Sequence, residues 1–182
     1  QNKRGSIVAI EPATGEILAM VSSPGYDPNE LSISRSRGIA YTKLQSDTLK
    51  PLFDRSVMAM YPPGSIFKPI LALAAMQEGV LNENRTIYCN GAYYSGGLKR
   101  GCHSHPSAHN VAAAIQYSCN TYFFTVYKEV IDISGYTIPE IGMRKLNGML
   151  SEFGLGHKIS IHVPAEKPGN LPGPAHFDQV YG

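Results

Sequence analysis

The sequence predicts an α/β architecture of the α+β kind, in which an N-terminal hairpin of an antiparallel sheet precedes an all-helical region. Three observations carry this expectation. Residues 5–23 hold two β-rich runs on either side of a Pro/Gly turn, and residues 52–160 hold several apolar runs of helical length. With 43% hydrophobic and only 16% charged residues over 182 positions, the chain can also bury a real core.

Each element follows from local chemistry. Gly5-Ser6-Ile7-Val8-Ala9-Ile10 and Glu16-Ile17-Leu18-Ala19-Met20-Val21-Ser22 flank Pro12-Ala13-Thr14-Gly15, the composition of a hairpin. Both runs are apolar nearly throughout, which predicts a strand pair covered on both faces. Residues 24–50 read as loop, with a turn cluster at Pro24-Gly25-Tyr26-Asp27-Pro28-Asn29 and a short helix beginning near Pro28. Tyr61-Pro62-Pro63-Gly64 makes a stiff turn, and Ile70 to Met76 then reads as a buried helix closed by Gly79. Residues 80–110 are irregular and rich in Gly, Tyr and His. A second helix starts at Asn110, the pattern breaks over 116–121, and a third, aromatic-rich helix covers Tyr122 to Val130. A fourth runs from Pro139 to Phe153 and stops at Gly154; the proline-rich remainder reads as loop.

Composition also excludes function classes. The net charge of +2 comes without a basic block, so no nucleic-acid footprint exists. No Gly-rich loop joins a strand to a helix, which argues against a nucleotide site. No stretch is apolar for long enough to span a membrane. Three cysteines, an odd number, leave the redox compartment open.

Chemistry concentrates at two places. Ser65 and Lys68 are three residues apart at the start of the first long helix, which stacks a hydroxyl and an amine on one face near the positive end of the helix dipole. A serine needs a base to become a nucleophile, and a lysine in apolar surroundings can accept a proton. An N-cap serine beside a solvated lysine explains the same short pattern. The second place is Ser118-Cys119-Asn120, a polar tripeptide between apolar helices. It reads either as a helix break with Asn120 as cap, or as a second hydroxyl that passes protons with an amide that orients a lysine.

Taken together, Ser65-x-x-Lys68 and Ser118-x-Asn120 resemble the signature of penicillin-binding proteins and serine β-lactamases. The resemblance is closer to the transpeptidase domain of the class B high-molecular-weight penicillin-binding proteins and covers nearly the whole chain. Tyr61-Pro62-Pro63-Gly64-Ser65-Ile66-Phe67-Lys68-Pro69 resembles the nucleophile motif, with Ile66 where threonine is commoner. Ser118-Cys119-Asn120-Thr121-Tyr122-Phe123 resembles the second motif. Phe153-Gly154-Leu155-Gly156 and Glu166-Lys167-Pro168-Gly169-Asn170-Leu171-Pro172 resemble the stretch that follows. The resemblance implies a β-lactamase/transpeptidase-like fold and a peptidoglycan D,D-transpeptidase. Ser65 is then the acylated nucleophile, Lys68 its base, Ser118 the proton relay and Asn120 a partner for Lys68 and the substrate amide. Implied partners are the peptidoglycan stem peptide, β-lactam antibiotics and a glycosyltransferase of the elongation machinery. The implied location is the periplasmic face of the inner membrane, through an anchor outside this chain.

No Lys-Thr-Gly or Lys-Ser-Gly, the family's third motif, occurs in the 182 residues. Residues 1–182 are therefore expected to be a partial transpeptidase domain without the C-terminal sheet strands, poorly active alone and open to swapped dimers through the hairpin edge. Two rival functions share the motifs: a serine β-lactamase or penicillin-sensing receptor domain, and a non-catalytic interaction domain. Cys89, Cys102, His103 and His105 in the irregular stretch raise zinc as a cofactor. Their spacing lacks a tight Cys-x-x-Cys unit and fits a Cys89–Cys102 disulfide or free thiols better. Cys119 is expected to pack behind the site. No other cofactor is expected.

Overall fold

The computed structural model describes residues 3–159 and 163–181. They fall into two compact units, one within residues 1–61 and 158–169 and the other within 62–157 and 170–182.

In the first unit β1 (Gly5–Ile10) and β2 (Ile17–Ser23) pair antiparallel, with Ser6 opposite Ser22 and an irregularity at Ala9/Ile10. The expected cover is missing among the described residues. Ile7, Leu18 and Val21 are 71%, 65% and 55% exposed, so the apolar runs reflect a sheet interior that these residues do not complete. The paired serines tie the hairpin to its neighbour. Ser22 Oγ accepts from the Arg55 backbone N–H at 2.9 Å, and Ser6 Oγ donates to the Arg55 carbonyl. Short helices follow at α1 (Asn29–Ser32) and α3 (Arg55–Met58). Between them lies α2 (Arg37–Ser46), a helix where the sequence reads as loop. Its residues bury only Leu44, so no apolar stripe announces it. Arg55 is buried with no carboxylate partner among the described residues. Its guanidinium donates to the carbonyls of Leu49, Lys50 and Phe53, which satisfies loop carbonyls that folding takes from water.

The second unit holds the core and the site. Gly64–Phe67 forms a 3-10 turn that runs into α4 (Lys68–Gln77), where Pro69 is tolerated because first-turn N–H groups have no intrahelical partner. A hairpin the sequence reading missed, β3 (Ala92–Ser95) and β4 (Leu98–Gly101), turns at Gly96-Gly97, both with positive φ. Then come α5 (Val111–Gln116), capped by the Asn110 side chain, α6 (Asn120–Ile131), α7 (Pro139–Glu152) and α8 (Pro174–Tyr181). The α8 segment reads as loop in sequence, yet Pro174 occupies the first helical position, where proline is preferred. Leu71, Ala75, Tyr122, Val126, Val130, Leu146 and Leu150 join the inner faces of α4, α6 and α7 in one core.

The two long helices meet without a spacer. A Cβ on Gly142 of α7 would lie 2.1 Å from the Ile131 carbonyl oxygen and 2.5 Å from that of Val130. Gly142→Ala should therefore destabilise the protein by about 2 kcal/mol or more, the usual cost of overpacking against backbone. Urea denaturation of the variant and of Gly148→Ala, a helical glycine with open space around its Cβ, checks this.

Candidate active site

The turn ahead of α4 sets the first pair. Three residues per turn in a 3-10 segment eclipse positions i and i+3, and the Lys68 N–H donates to the Ser65 carbonyl. Ser65 is exposed and its hydroxyl has no hydrogen-bond partner among the described residues. Lys68 is half-buried and its head group is bonded to the second motif. Nζ donates to the Ser118 carbonyl at 2.6 Å, Ser118 Oγ at 2.9 Å and Asn120 Oδ1 at 2.7 Å. Those three acceptors use all the protons of an ammonium group. Nζ also lies 5.8 Å over the Phe123 ring. Burial draws the Lys68 pKa below its ordinary value, while negative charge on Cys102 and Cys119 pulls the other way.

The break between α5 and α6 presents those acceptors. Ser118 adopts φ 50°, a left-handed conformation that costs a non-glycine residue roughly 1–2 kcal/mol. It allows the carbonyl and the hydroxyl of one residue to meet the same ammonium. Asn120 is not the cap that one reading of the sequence offers. Cys119 holds that place, its sulfur accepting from the Tyr122 N–H at 3.3 Å. The Asn120 side chain is thereby free to bridge, with Oδ1 to Lys68 and Nδ2 to the Gly101 carbonyl at 3.1 Å. The four expected residues all fall in this one unit; Ser65, Lys68 and Asn120 line a cavity of about 420 Å³ walled by Leu71, Phe123, Phe124 and Tyr127. No carboxylate lines it among the described residues.

The cysteines gather behind this cavity. One ligand atom each from Cys89, Cys102, His105 and Cys119 lies within 4.8 Å of the others. All three thiols are free, so of the disulfide and the free thiols expected at Cys89 and Cys102 the structure has the free thiols. Cys119 joins the group instead of merely packing. His103 does not join it, because its Nε2 donates to the Tyr117 carbonyl at 2.7 Å. Burial works against the Cys102 thiolate, yet the N–H groups of Thr121 and Asn120 and contacts with His105 and Cys89 outweigh it and bring its pKa to about 6. Burial pushes the Cys119 thiol up to about 12. Three sulfurs and an imidazole are the donor set of a tetrahedral zinc site, so these residues fit that ion.

Residues 5–181 match the penicillin-binding protein transpeptidase domain family. The chain belongs to that family. It is 33% identical over 179 residues to the peptidoglycan D,D-transpeptidase MrdA of Acinetobacter baumannii, covering 94% of this chain and 24% of that protein. The crystal structure of Pseudomonas aeruginosa penicillin-binding protein 2 in complex with WCK 5153 superposes with TM-score 0.80 at 31% identity, over 98% of this chain and 37% of the other. The penicillin G acyl-enzyme complex of Mycobacterium tuberculosis penicillin-binding protein A gives 0.65 at 30% identity, over 84% and 34%. The transpeptidase fold of the family is thus the fold of this mixed α/β chain, which spans about a quarter of the length of the curated relative.

With desolvation dominating, Lys68 should lose its proton below the range of a free lysine, so that neutral amine accumulates at lower pH than on an exposed side chain. An NMR titration with Lys68 assigned through Lys68→Arg measures this.

Proposed function

We propose that the full-length protein is a serine-type D,D-transpeptidase of peptidoglycan synthesis and a target of β-lactams. The observation that carries the reading is the Lys68 ammonium held by Ser118 and Asn120 in the cavity that Ser65 also lines. In this reaction Ser65 Oγ attacks the carbonyl of the penultimate D-alanine. Its proton passes to neutral Lys68, and the Ser65 backbone N–H faces the developing oxyanion. Ser118 relays the proton to the departing D-alanine nitrogen as the C–N bond breaks, leaving an ester on Ser65. An amine of a neighbouring strand then attacks that ester, releases Ser65 and completes a 4,3 cross-link. Asn120 orients Lys68 and the substrate amide. The reduced pKa of Lys68 enlarges the neutral fraction that can act as base.

β-Lactams enter the same first step and stay there as an ester on Ser65; among the described residues no carboxylate lines the cavity. The penicillin G acyl-enzyme complex of the mycobacterial relative supports this reading over that of a β-lactamase. The 182 residues alone should acylate weakly, since the cavity lining offers little to an oxyanion beyond the Ser65 turn. We place the protein at the periplasmic face of the inner membrane beside a glycosyltransferase of the elongation machinery. Among the described residues no helix is long and apolar enough to cross a membrane. The uncovered hairpin is where two copies of the short chain would swap or pair.

We also propose that Cys89, Cys102, Cys119 and His105 hold zinc in the folded protein. Bound there, the ion supplies no catalytic step and acts as a crosslink. Cys102 accepts from the Asn120 N–H, and Cys119 caps the helix that Asn120 begins. Holding these sulfurs holds the second motif.

Two outcomes are expected. Intact mass of the full-length protein after penicillin treatment gains one adduct, lost in Ser65→Ala, while Ser118→Ala slows adduct formation by roughly 10²–10⁴; the wild-type rate climbs with pH through the Lys68 titration and levels above it. A protein that hydrolyses nitrocefin with rapid turnover contradicts the assignment. For the metal, elemental analysis finds one zinc per chain; a chelator removes it and lowers the melting temperature, and Cys119→Ser binds less.

A further inference from the structure

The β3–β4 hairpin stands beside the cavity, and nothing in the reaction above uses it. Asn120 fixes one end through its bonds to the Gly101 carbonyl and the Cys102 sulfur. Tyr93, one residue in from that same end, packs its ring 5.6 Å from that of Phe124 in the cavity wall. Antiparallel pairing sets Arg100 directly opposite Tyr93. Residues opposite one another project from the same face of a strand pair. Arg100 therefore leaves the hairpin on the face turned toward Phe124, one residue before the carbonyl that Asn120 grips.

Arg100 is exposed and has no hydrogen bond or ion pair among the described residues. The other cations of this neighbourhood are committed. Lys68 has three oxygen partners, Arg85 pairs with Glu129 and Lys128 with Asp132. Lys99, on the opposite face of the hairpin, lies 5.8 Å over the Tyr94 ring. The cavity itself carries aromatic walls and a single, fully bonded ammonium. A free guanidinium on the hairpin face turned toward Phe124 is suited to a planar anion, because its fork of N–H groups binds a carboxylate through two parallel bonds.

We infer that Arg100 is a specificity residue whose guanidinium takes a carboxylate of the donor peptide on the acyl side of the bond that Ser65 attacks. The inference rests on the transpeptidase reading. Asn120 lies between Lys68 and the hairpin, touching both. A peptide whose reacting carbonyl meets Ser65 and whose acyl-side amide meets Asn120 brings its preceding residues to the hairpin, and its departing D-alanine points away from it. The carboxylate that Arg100 reads is then internal to the stem peptide and stays on the enzyme after D-alanine leaves.

The test uses the full-length protein and two synthetic donor peptides ending in D-Ala-D-Ala, identical except that the internal carboxylates of one are amidated. D-alanine release gives kcat/KM for each, and labelling of Ser65 by a fluorescent penicillin is followed in parallel. The wild type should prefer the carboxylate donor at least tenfold. Arg100→Gln should bring the ratio close to one through a rise in KM, and Arg100→Lys should restore part of it. The inference is overturned if Arg100→Gln keeps the preference, or if it loses both donors and penicillin labelling alike, which marks a structural role. A wild type that labels with penicillin and treats the donors equally overturns only this inference. A wild type that takes neither penicillin nor donor overturns the transpeptidase reading and this inference with it.

Discussion

One ammonium group joins the pieces of the site. Lys68 starts α4, and its three acceptors come from the break between α5 and α6, fifty residues away in sequence. Truncating either partner would strand a charged donor in a half-buried place, at a cost of about 1–3 kcal/mol for each acceptor lost. The left-handed Ser118 and the displacement of capping duty onto Cys119 both serve this junction. The first frees a carbonyl together with a hydroxyl, and the second frees an amide.

The same junction explains the resting chemistry. A lysine that donates three hydrogen bonds has no lone pair to offer, and Ser65 stands without a base in contact. Catalytic hydrogen bonds of this kind commonly tighten only when substrate arrives. Burial supplies the counterweight by making the charged form of Lys68 less favourable than it is in water. In the proposed reaction Lys68 is thus a base positioned by its charge and activated by losing it.

Much of this was legible in the sequence because it is local. The two motifs are short, their helices are apolar, and their ends carry Pro, Gly and Asn where the caps require them. The residues that escaped did so for identifiable reasons. α2 buries Leu44 alone, so it lacks a stripe. β3 and β4 are four residues each and their Gly96-Gly97 turn, a usable hairpin signal, lay in a stretch crowded with glycine. α8 hid in a proline-rich tail. The choice of His105 over His103, and the arrival of Cys119 among the thiols, depend on which way neighbouring side chains face after α6 has packed. Spacing along the chain carries no information about that. Arg100 was invisible for the same reason, since its position matters only through the strand opposite it.

The exterior of α4 has a consequence of its own. Leu73 and Met76 are 55% and 38% exposed, although the other side of the helix is packed in the core. A helix that is apolar all round is built to be a partition with a layer on each side. Its two sides should then tolerate variation differently. Changes at Leu71 or Ala75 register wherever this unit folds, while polar changes at Leu73 are silent in the short chain and become costly once a second layer is laid against it. A mutational survey of the 182 residues alone would therefore score the exposed side of α4 as neutral, and only a survey of the full-length protein would read it as a packed wall.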